Sequence, residues 1–440
     1  MKLIDQNQVE FFQGSIADDG GKVFFFENRV FRAIFSGSYA QIYNQLLKEK
    51  WIDEIFEAGL VRTVVSDEIN LQGALITLEH RKISFTTHPA ESTPNMFWLS
   101  AKTLVRVNLL LAQHGYVLID AHPWNVMLEK GIPKFIDFTS ITKSNWVSWE
   151  WFEEFRKYFC IPIWLSSHKW HKLSREYRRE HLNGFGLRLF ETRLLHKLFT
   201  FAMGSGRFIG KPVSFLRQLD RWLDEHRPKK SASADWLEYP QYEIAQNPVD
   251  PVLPKQQFVL EVLKAEKPIT VLDCAANKGY YSEMAARLGA SVASFDHEDR
   301  FVDECLLLAQ KKNLDITPVV MDFELPTPPH SVGLLYGSAY ERFKSEIVMV
   351  LGLVQHSCID QRLPVHIFCK ICLQYATKGV LFEYVEPTDS LAKNRGKPIP
   401  DNYSMQSFTN CFKAKFPKSK LSPMINNDDG TKSVIIYYFS

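Results

Sequence analysis

The chain has 440 residues, 45% hydrophobic, 23% charged and 13% aromatic, with a formal net charge of +2. At roughly 150 residues per domain this length allows two or three globular domains, and the near-neutral balance gives no bulk argument for a nucleic-acid or membrane-surface partner. No apolar run approaches the roughly 18 residues that span a bilayer. The seven cysteines are scattered, and the opening MKLIDQNQVE has no apolar secretion core, so a reduced cytoplasmic setting is expected.

In chain order, residues 1–35 read as short strands, with a turn at Gly20-Gly21 and a hairpin whose arms, 22–27 and 29–35, flank Asn28. Residues 39–58 place Ile42, Leu46, Leu47, Trp51 and Ile55 on one helical face, with Gly59 as the stop. Further strands are expected at 60–66 and 72–78. A long amphipathic helix follows at 97–114, burying Leu99, Thr103, Val107, Leu110 and Leu111. This is the element order of a two-lobed α+β domain, with Leu78-Glu79-His80 at the lobe connection.

The segment 120–125 reads DAHPWN, and Asp137-Phe138 follows a short strand at 134–136. One carboxylate that orients a hydroxyl, with an Asn and a second Asp to hold Mg²⁺ on phosphates, is the set that phosphoryl transfer needs. The segment resembles the catalytic loop of kinases. It is nearest the aminoglycoside and choline kinase branch, because His122 stands where protein kinases carry Lys. The resemblance implies a catalytic Asp120, Mg²⁺ ligands Asn125 and Asp137, and ATP with Mg²⁺ as cofactors. The sequence departs from that pattern at Leu118, where kinases have His, and at Thr139, where they have Gly. No glycine-rich loop precedes a strand lysine: Gly14, Gly20 and Gly21 are poorly placed, and the strand cation is Arg32 of VFRAI. A degenerate scaffold is therefore expected, with a working phosphotransferase as the alternative.

Residues 146–226 are helical, aromatic and locally basic, as in HKWHKLSREYRREH at 168–181. His168 and His171 could share a helix face, but no carboxylate has matching spacing, so a solvated face is expected. Proline spacing at Pro240, Pro248, Pro251 and Pro254 marks 228–254 as a linker. The expected domains are 1–229 and 255–440, joined through 230–254.

The stretch 269–296, ITVLDCAANKGYYSEMAARLGASVASFD, reads as strand, tight turn, helix, strand, with Asp296 placed 23 residues after Asp273. Such a unit binds a nucleoside: small residues let a ligand approach the helix N-terminus, and the second acid meets ribose hydroxyls. Only Gly279 remains at a glycine position, which disfavours a dinucleotide. Beyond it, a helix at 301–312, strands at 316–321 and 346–353, a helix at 364–375 and strands at 380–385 and 434–439 complete a doubly wound α/β sheet. The Cys369-x-x-Cys372 pair continues an apolar helix face with Phe368 and Ile371, so core packing is its expected role. Glu383 falls mid-strand, either buried and paired or facing the cleft.

The Asp273–Asn277–Gly279 pattern resembles motif I of class I S-adenosylmethionine (SAM) methyltransferases. LEHRKI, DAHPWN, FIDFTSI, VLDCAANKGYYS, VVMDFELPTP, YERFKSEIVMVLGLVQH and LFEYVEPTD occur in the order found in a bacterial family of two-part proteins. These join a kinase-like region to a Rossmann-like methyltransferase and include rhizobial nodulation proteins. The resemblance implies SAM contacts at Asp273, Ala275, Asn277, Gly279, Asp296 and Asp322, and a base or acceptor-orienting role for His356. It departs at Gln355, where a second His is expected, and at Cys274, where an aliphatic residue is usual. Three functions follow as expectations: a SAM-dependent methyltransferase acting on a small-molecule or carbohydrate-like acceptor, a bifunctional kinase and methyltransferase, or a non-catalytic nucleotide-binding scaffold.

Overall fold

The computed structural model describes residues 2–15, 20–182, 211–228, 247–251, 253–330, 332–388, 395–426 and 431–440. Most of the linker expected at 228–254 lies outside the described residues, as does the turn expected at Asp428-Asp429-Gly430. Besides a short parallel pair, Lys2–Ile4 with Ile69–Leu71, five strands lie in the first part of the N-terminal half: β1 (Glu10–Phe11), β2 (Lys22–Phe26), β3 (Arg29–Ile34), β4 (Thr63–Val65) and β5 (Ile76–His80). They form an antiparallel sheet in the order β1-β2-β3-β5-β4. The β2–β3 turn puts both Glu27 (φ 48°) and Asn28 (φ 62°) in the left-handed region, as a two-residue hairpin of matching twist requires.

The helix expected at 39–58 is two helices, α1 (Gly37–Leu46) and α2 (Ile52–Ala58). The apolar spacing runs on through the break, because Trp51 at the junction stacks on His114 with ring centroids 4.1 Å apart. Leu78-Glu79-His80 is not the lobe connection. It is the end of β5, paired to β3 and β4, and the connection follows from Arg81. The long helix α3 (Pro94–Gln113) begins three residues early, where Thr93 Oγ1 accepts from the Met96 amide at 3.0 Å. Its buried side includes Phe97, Ala101, Leu104, Val105, Asn108 and Leu111, while Leu99, Thr103 and Leu110 are only half-buried.

Two short antiparallel pairs follow: β6 (Tyr116–Leu118) with β9 (Ile141–Lys143), and β7 (Val126–Glu129) with β8 (Ile132–Phe135). Among the described residues, the helices α4 (Trp149–Phe155), α5 (Ile161–Ser167), α6 (His171–Leu182) and α7 (Pro212–Glu225) follow in this half. Tyr43, Leu104, Phe138, Trp151 and Leu219 draw α1, α3, the hairpin region, α4 and α7 into one core.

In the C-terminal half, α8 (Pro254–Glu266) starts on the last proline of the expected linker, since proline at the first helical turn forfeits no hydrogen bond. The strands are β10 (Thr270–Cys274), β11 (Ser291–Asp296), β12 (Ile316–Val320), β13 (Ser345–Val350), β14 (Ala376–Val385), β15 (Lys418–Leu421) and β16 (Lys432–Phe439). Their order is β12-β11-β10-β13-β14-β16-β15, parallel up to β14 and antiparallel beyond, with Ile425–Asn426 also paired to β16. This is a doubly wound, Rossmann-like sheet whose order reverses at β10. One face packs on α8, α9 (Tyr280–Arg287) and part of α10 (Asp299–Lys312). The other face meets α11 (Ala339–Arg342), α12 (Val365–Tyr375) and α13 (Met405–Lys413). Helix α13 and strand β15 had no counterpart in the sequence expectations, although Phe408 and Phe412, four residues apart, mark the buried face of α13. Parallel strands are covered on both faces, so they read as unbroken apolar runs; this is why 269–385 was legible.

The halves are packed together. Met96 and Leu128 share a core with Val302, Leu306 and Val320, and Phe85 joins the α12 side of the sheet. Gly131 abuts α10 closely: a Cβ there would lie 3.1 Å from that of Ala309, and its carbonyl accepts from Gln310 Nε2 at 2.8 Å. Thr93 donates to Asp303 at 2.5 Å, and Ser84 donates to Asp315 at 3.1 Å.

Candidate active site

The switch point lies at the carboxyl end of β10, where the chain crosses through Cys274–Gly279 before entering α9. Ala275 (φ 56°), Asn277 (φ 49°) and Gly279 (φ 86°) all take left-handed conformations. Two of these are not glycines, a local cost that persists only where surrounding contacts over-determine the backbone. The contacts come from Asp296 at the end of β11. Its Oδ2 accepts from the Asn277 amide and its Oδ1 from the Glu298 amide, each at 3.0 Å. The Ala276 amide donates to the Phe295 carbonyl at 2.9 Å. Asp296 therefore ties the turn to the start of α10. Each of its oxygens retains a second acceptor site for a ligand hydroxyl. Burial raises its pKa.

Asp273 is turned away from the crevice. It is 3% exposed and accepts from Ser282 Oγ at 2.6 Å, which anchors α9 from beneath. Burial pushes its carboxyl up to about 7, against the opposing pull of Ser282. Gly279 is required by a neighbour rather than by open space: a Cβ there would stand 2.6 Å from Cys305 Sγ on α10. Ala275 through Lys278 stay half-exposed at the rim of an otherwise buried turn, which leaves backbone open to a ligand. Asp322 follows β12 with Oδ1 accepting from the amides of Glu324 (2.7 Å) and Leu325 (3.2 Å), on the same sheet edge as Asp296.

His356 sits in a single wide turn, Gln355–Asp360, just past β13. Arg395 Nη1 donates to its Nδ1 at 2.9 Å, and Arg395 also pairs with Asp360. Asp360 lies farther from that nitrogen, at 3.3 Å. Arginine has no acceptor, so the closer contact makes Nδ1 the lone-pair nitrogen and leaves the proton on Nε2. Burial, then the Arg395 charge, lowers the imidazole pKa to about 4, and His297, next to Asp296, pushes it the same way. Arg395 escaped the sequence reading because KNRGKP has neither periodicity nor a motif. Its only signal was a lone arginine in a polar loop.

Glu383 is buried and paired: Lys255 Nζ of α8 lies 2.6 Å from Oε2, and Ser433 Oγ donates to Oε1 at 2.9 Å. Cys369 and Cys372 are buried free thiols in the α12 core.

In the N-terminal half, Asp120, Asn125 and Asp137 come from the β6–β7 loop and the residues after β8. Asp120 accepts from the His122 amide at 2.7 Å and from the Asn125 side-chain amide. Burial and the neighbouring Glu154 carboxylate raise Asp120 to about 8. Glu154, on α4, accepts from the Ala121 amide at 3.0 Å and belongs to this group, though its motif-free helix gave no warning. Arg32 on β3 pairs with Asp137 at 3.2 Å and donates to Thr139, which itself donates to Asp137 at 2.8 Å. Two of the departures from the kinase pattern, Arg32 and Thr139, thus both engage Asp137.

No protein-family model matches the chain. It is 24% identical over 449 residues to the nodulation protein NoeA of Rhizobium meliloti (strain 1021), spanning 91% of both chains. Among solved structures it is similar to EvdMO1, at 14% identity and a TM-score of 0.32, over 51% of this chain and 47% of that one. It is also similar to the magnesium protoporphyrin IX methyltransferase ChlM of Synechocystis PCC 6803 with bound SAH. There the values are 15% identity and a TM-score of 0.32, over 51% of this chain and 95% of that one. Likeness at these scores adds nothing to the strand order itself. No helix among the described residues is long and apolar enough to cross a membrane.

Proposed function

We propose that the C-terminal half is a SAM-dependent methyltransferase acting on a small-molecule or carbohydrate-like acceptor. The observation that carries this is Asp296 clamping the left-handed Ala275–Asn277–Gly279 turn at the switch point of a doubly wound sheet. A buried acid beside a half-exposed, small-residue turn fits a ribose and its attached sulfonium chain better than a pyrophosphate. Asp296 would hold the ribose, Asp322 would border the adenine, and the turn backbone would meet the amino-acid end. Asp273 supports the turn through Ser282. Bound SAM supplies an electrophilic methyl group, and transfer then needs in-line positioning and a dry site. His356, proton on Nε2, would orient the acceptor oxygen as a donor. The carbohydrate part of the reading rests on the family resemblance in sequence. Titration calorimetry with SAM and SAH tests it: saturable binding is expected in the full chain, with affinity lost in Asp296→Ala. An unchanged affinity in that variant would sink the assignment.

A second reading for the N-terminal half is favoured by the meeting of Asp120, Asn125 and Asp137, with a strand cation from the third strand of a five-stranded sheet. That arrangement is in keeping with the kinase resemblance in sequence, and a bifunctional enzyme would use it with ATP and Mg²⁺. Arg32 already pairs with Asp137, and its planar fork is a poor stand-in for a point-charge lysine, which favours a scaffold over a phosphotransferase. Titration with ATP and Mg²⁺, in wild type and Asp137→Asn, separates the two. Binding lost in the variant would support the bifunctional reading.

A further inference from the structure

Where the halves meet, segment 86–92 of the N-terminal half lies against His330 and Arg342 of the C-terminal half, and several buried polar atoms there have no hydrogen bond. Arg178 on α6 is 1% exposed. Its Nη1 donates to the carbonyls of Pro89 (3.1 Å) and Ser92 (3.0 Å), its Nε to that of Ser174 (3.4 Å), and its Cζ lies 4.7 Å from the centre of the Phe97 ring. Its Nη2 is buried without a hydrogen bond. Among the described residues no carboxylate pairs with it. Glu91 is taken by Arg342 and the His88 amide, and Asp299 by Arg175.

Next to it, His88 Nδ1 accepts from the Ala90 amide at 2.9 Å, so the neutral ring carries its proton on Nε2. That Nε2 is buried and unbonded. The His330 ring stands edge-on to His88 at 4.2 Å, and its Nδ1 is also buried and unbonded. Trp124 packs 4.5 Å from His88 and 4.0 Å from Tyr336, whose hydroxyl is a further buried, unbonded group. Burial lowers Arg178 to about 9. A guanidinium that makes no ion pair of its own among the described residues and feels only the charge of Asp299, already paired with Arg175, beside unbonded polar atoms of His88, His330 and Tyr336, is a costly interior unless an acceptor occupies it. A water could satisfy the donors but not the charge.

We propose that Arg178, His88, His330 and Tyr336 hold a small tetrahedral oxyanion of the phosphate class at the junction of the two halves. The ligand brings negative charge and acceptor lone pairs to the unbonded Arg178 Nη2, His88 Nε2 and Tyr336 hydroxyl, and His330 adds a donor as its Nδ1–H tautomer. It would bridge α6 and segment 86–92 to residues 330–336, one residue from Asn125 through Trp124. The oxyanion could be a free ion or the phosphoryl group of a larger ligand.

Titration of the full chain with inorganic phosphate, at constant ionic strength and against chloride, tests this. Saturable one-site binding is expected, with a rise in Tm that follows the same isotherm. Arg178→Met should abolish it. Tyr336→Phe, which removes one hydroxyl, should weaken it several-fold while leaving SAM affinity unchanged. No saturable binding in wild type overturns the proposal, and so does wild-type phosphate affinity in Arg178→Met. If Arg178→Met fails to fold, undiminished affinity in Tyr336→Phe overturns it. Repeating the titration with a sugar phosphate separates the sources: tighter binding than inorganic phosphate assigns a phosphoryl group, and equal or weaker binding assigns the free ion. The SAM titration is separate, so the failure of either reading leaves the other standing.

Discussion

Arg342 of the C-terminal half and Glu91 of the N-terminal half form a two-pronged ion pair, Nη2 to Oε1 at 2.5 Å and Nη1 to Oε2 at 2.9 Å. Their side chains are 5% and 2% exposed, and Arg342 Nη1 also donates to the Thr86 carbonyl at 2.9 Å. Removing one partner of such a pair strands the other charge in the interior, at a cost of about 3–5 kcal/mol. The halves also share the Met96–Leu306 core, so the wild-type chain should unfold in urea as one transition. Arg342→Met should move that transition to lower urea by a corresponding amount. Two separate transitions in wild type would contradict the coupling.

Gly279 makes a second, local prediction. Alanine there meets Cys305 Sγ at 2.6 Å and must hold φ near +86°. Overpacking and backbone strain together should cost about 1–3 kcal/mol. Gly289 has a similar φ, +97°, but nothing within 4 Å of its would-be Cβ, so Gly289→Ala reports backbone strain alone. Cys305→Ala should rescue Gly279→Ala and leave Gly289→Ala unrescued. Chemical denaturation of the double-mutant cycles measures the difference.

What the sequence disclosed follows from where each residue's partners lie. The βαβ unit was legible because Val271, Leu272, Val292 and Ala293 are buried by their own element pattern, whatever the rest of the chain does. The break between α1 and α2 was not, since the apolar face continues across it and only Trp51 against His114 explains it. Pro254 looked like linker because a proline that starts a helix and one that prevents it are identical in isolation. Arg178 fell in a segment expected to be a solvated helix face, and Glu91 and Arg342 carried no signal at all; their burial comes from elements remote in sequence. Asp120 and Asp137 were found by motif, but Arg32's engagement of Asp137 depends on β3 facing that loop.

Asp273 gives the pH prediction. Its folded pKa of about 7 lies above the usual carboxylate value of about 4 in the unfolded chain. Between those values the folded state holds a proton that the unfolded state releases, so this group's contribution to stability falls as pH rises from about 4 to 7. Above that window the carboxylate is charged in both states and its burial is fully felt. Asp273→Asn keeps an acceptor for Ser282 and removes the charge. Its stability relative to wild type should therefore rise from pH 5 to pH 8, as read by urea denaturation at each pH. A difference that does not change with pH would remove the assignment.

His356 yields the last prediction, and it needs no knowledge of the acceptor. With Arg395 donating to Nδ1, the imidazole should be neutral with its proton on Nε2 down to about pH 4. It then offers a donor rather than a base across the neutral range, and no ionisation near pH 6.5 should come from this residue. Nitrogen chemical shifts of ¹⁵N-labelled histidine read both the tautomer and the pKa. Arg395→Gln removes the positive charge that, after burial, most depresses the ring, and frees Asp360, whose charge and hydrogen bond act the other way. The His356 pKa should climb towards its ordinary value of about 6.5. A wild-type His356 that titrates near 6.5, or an Nδ1-protonated ring at pH 7, would restore the general-base role.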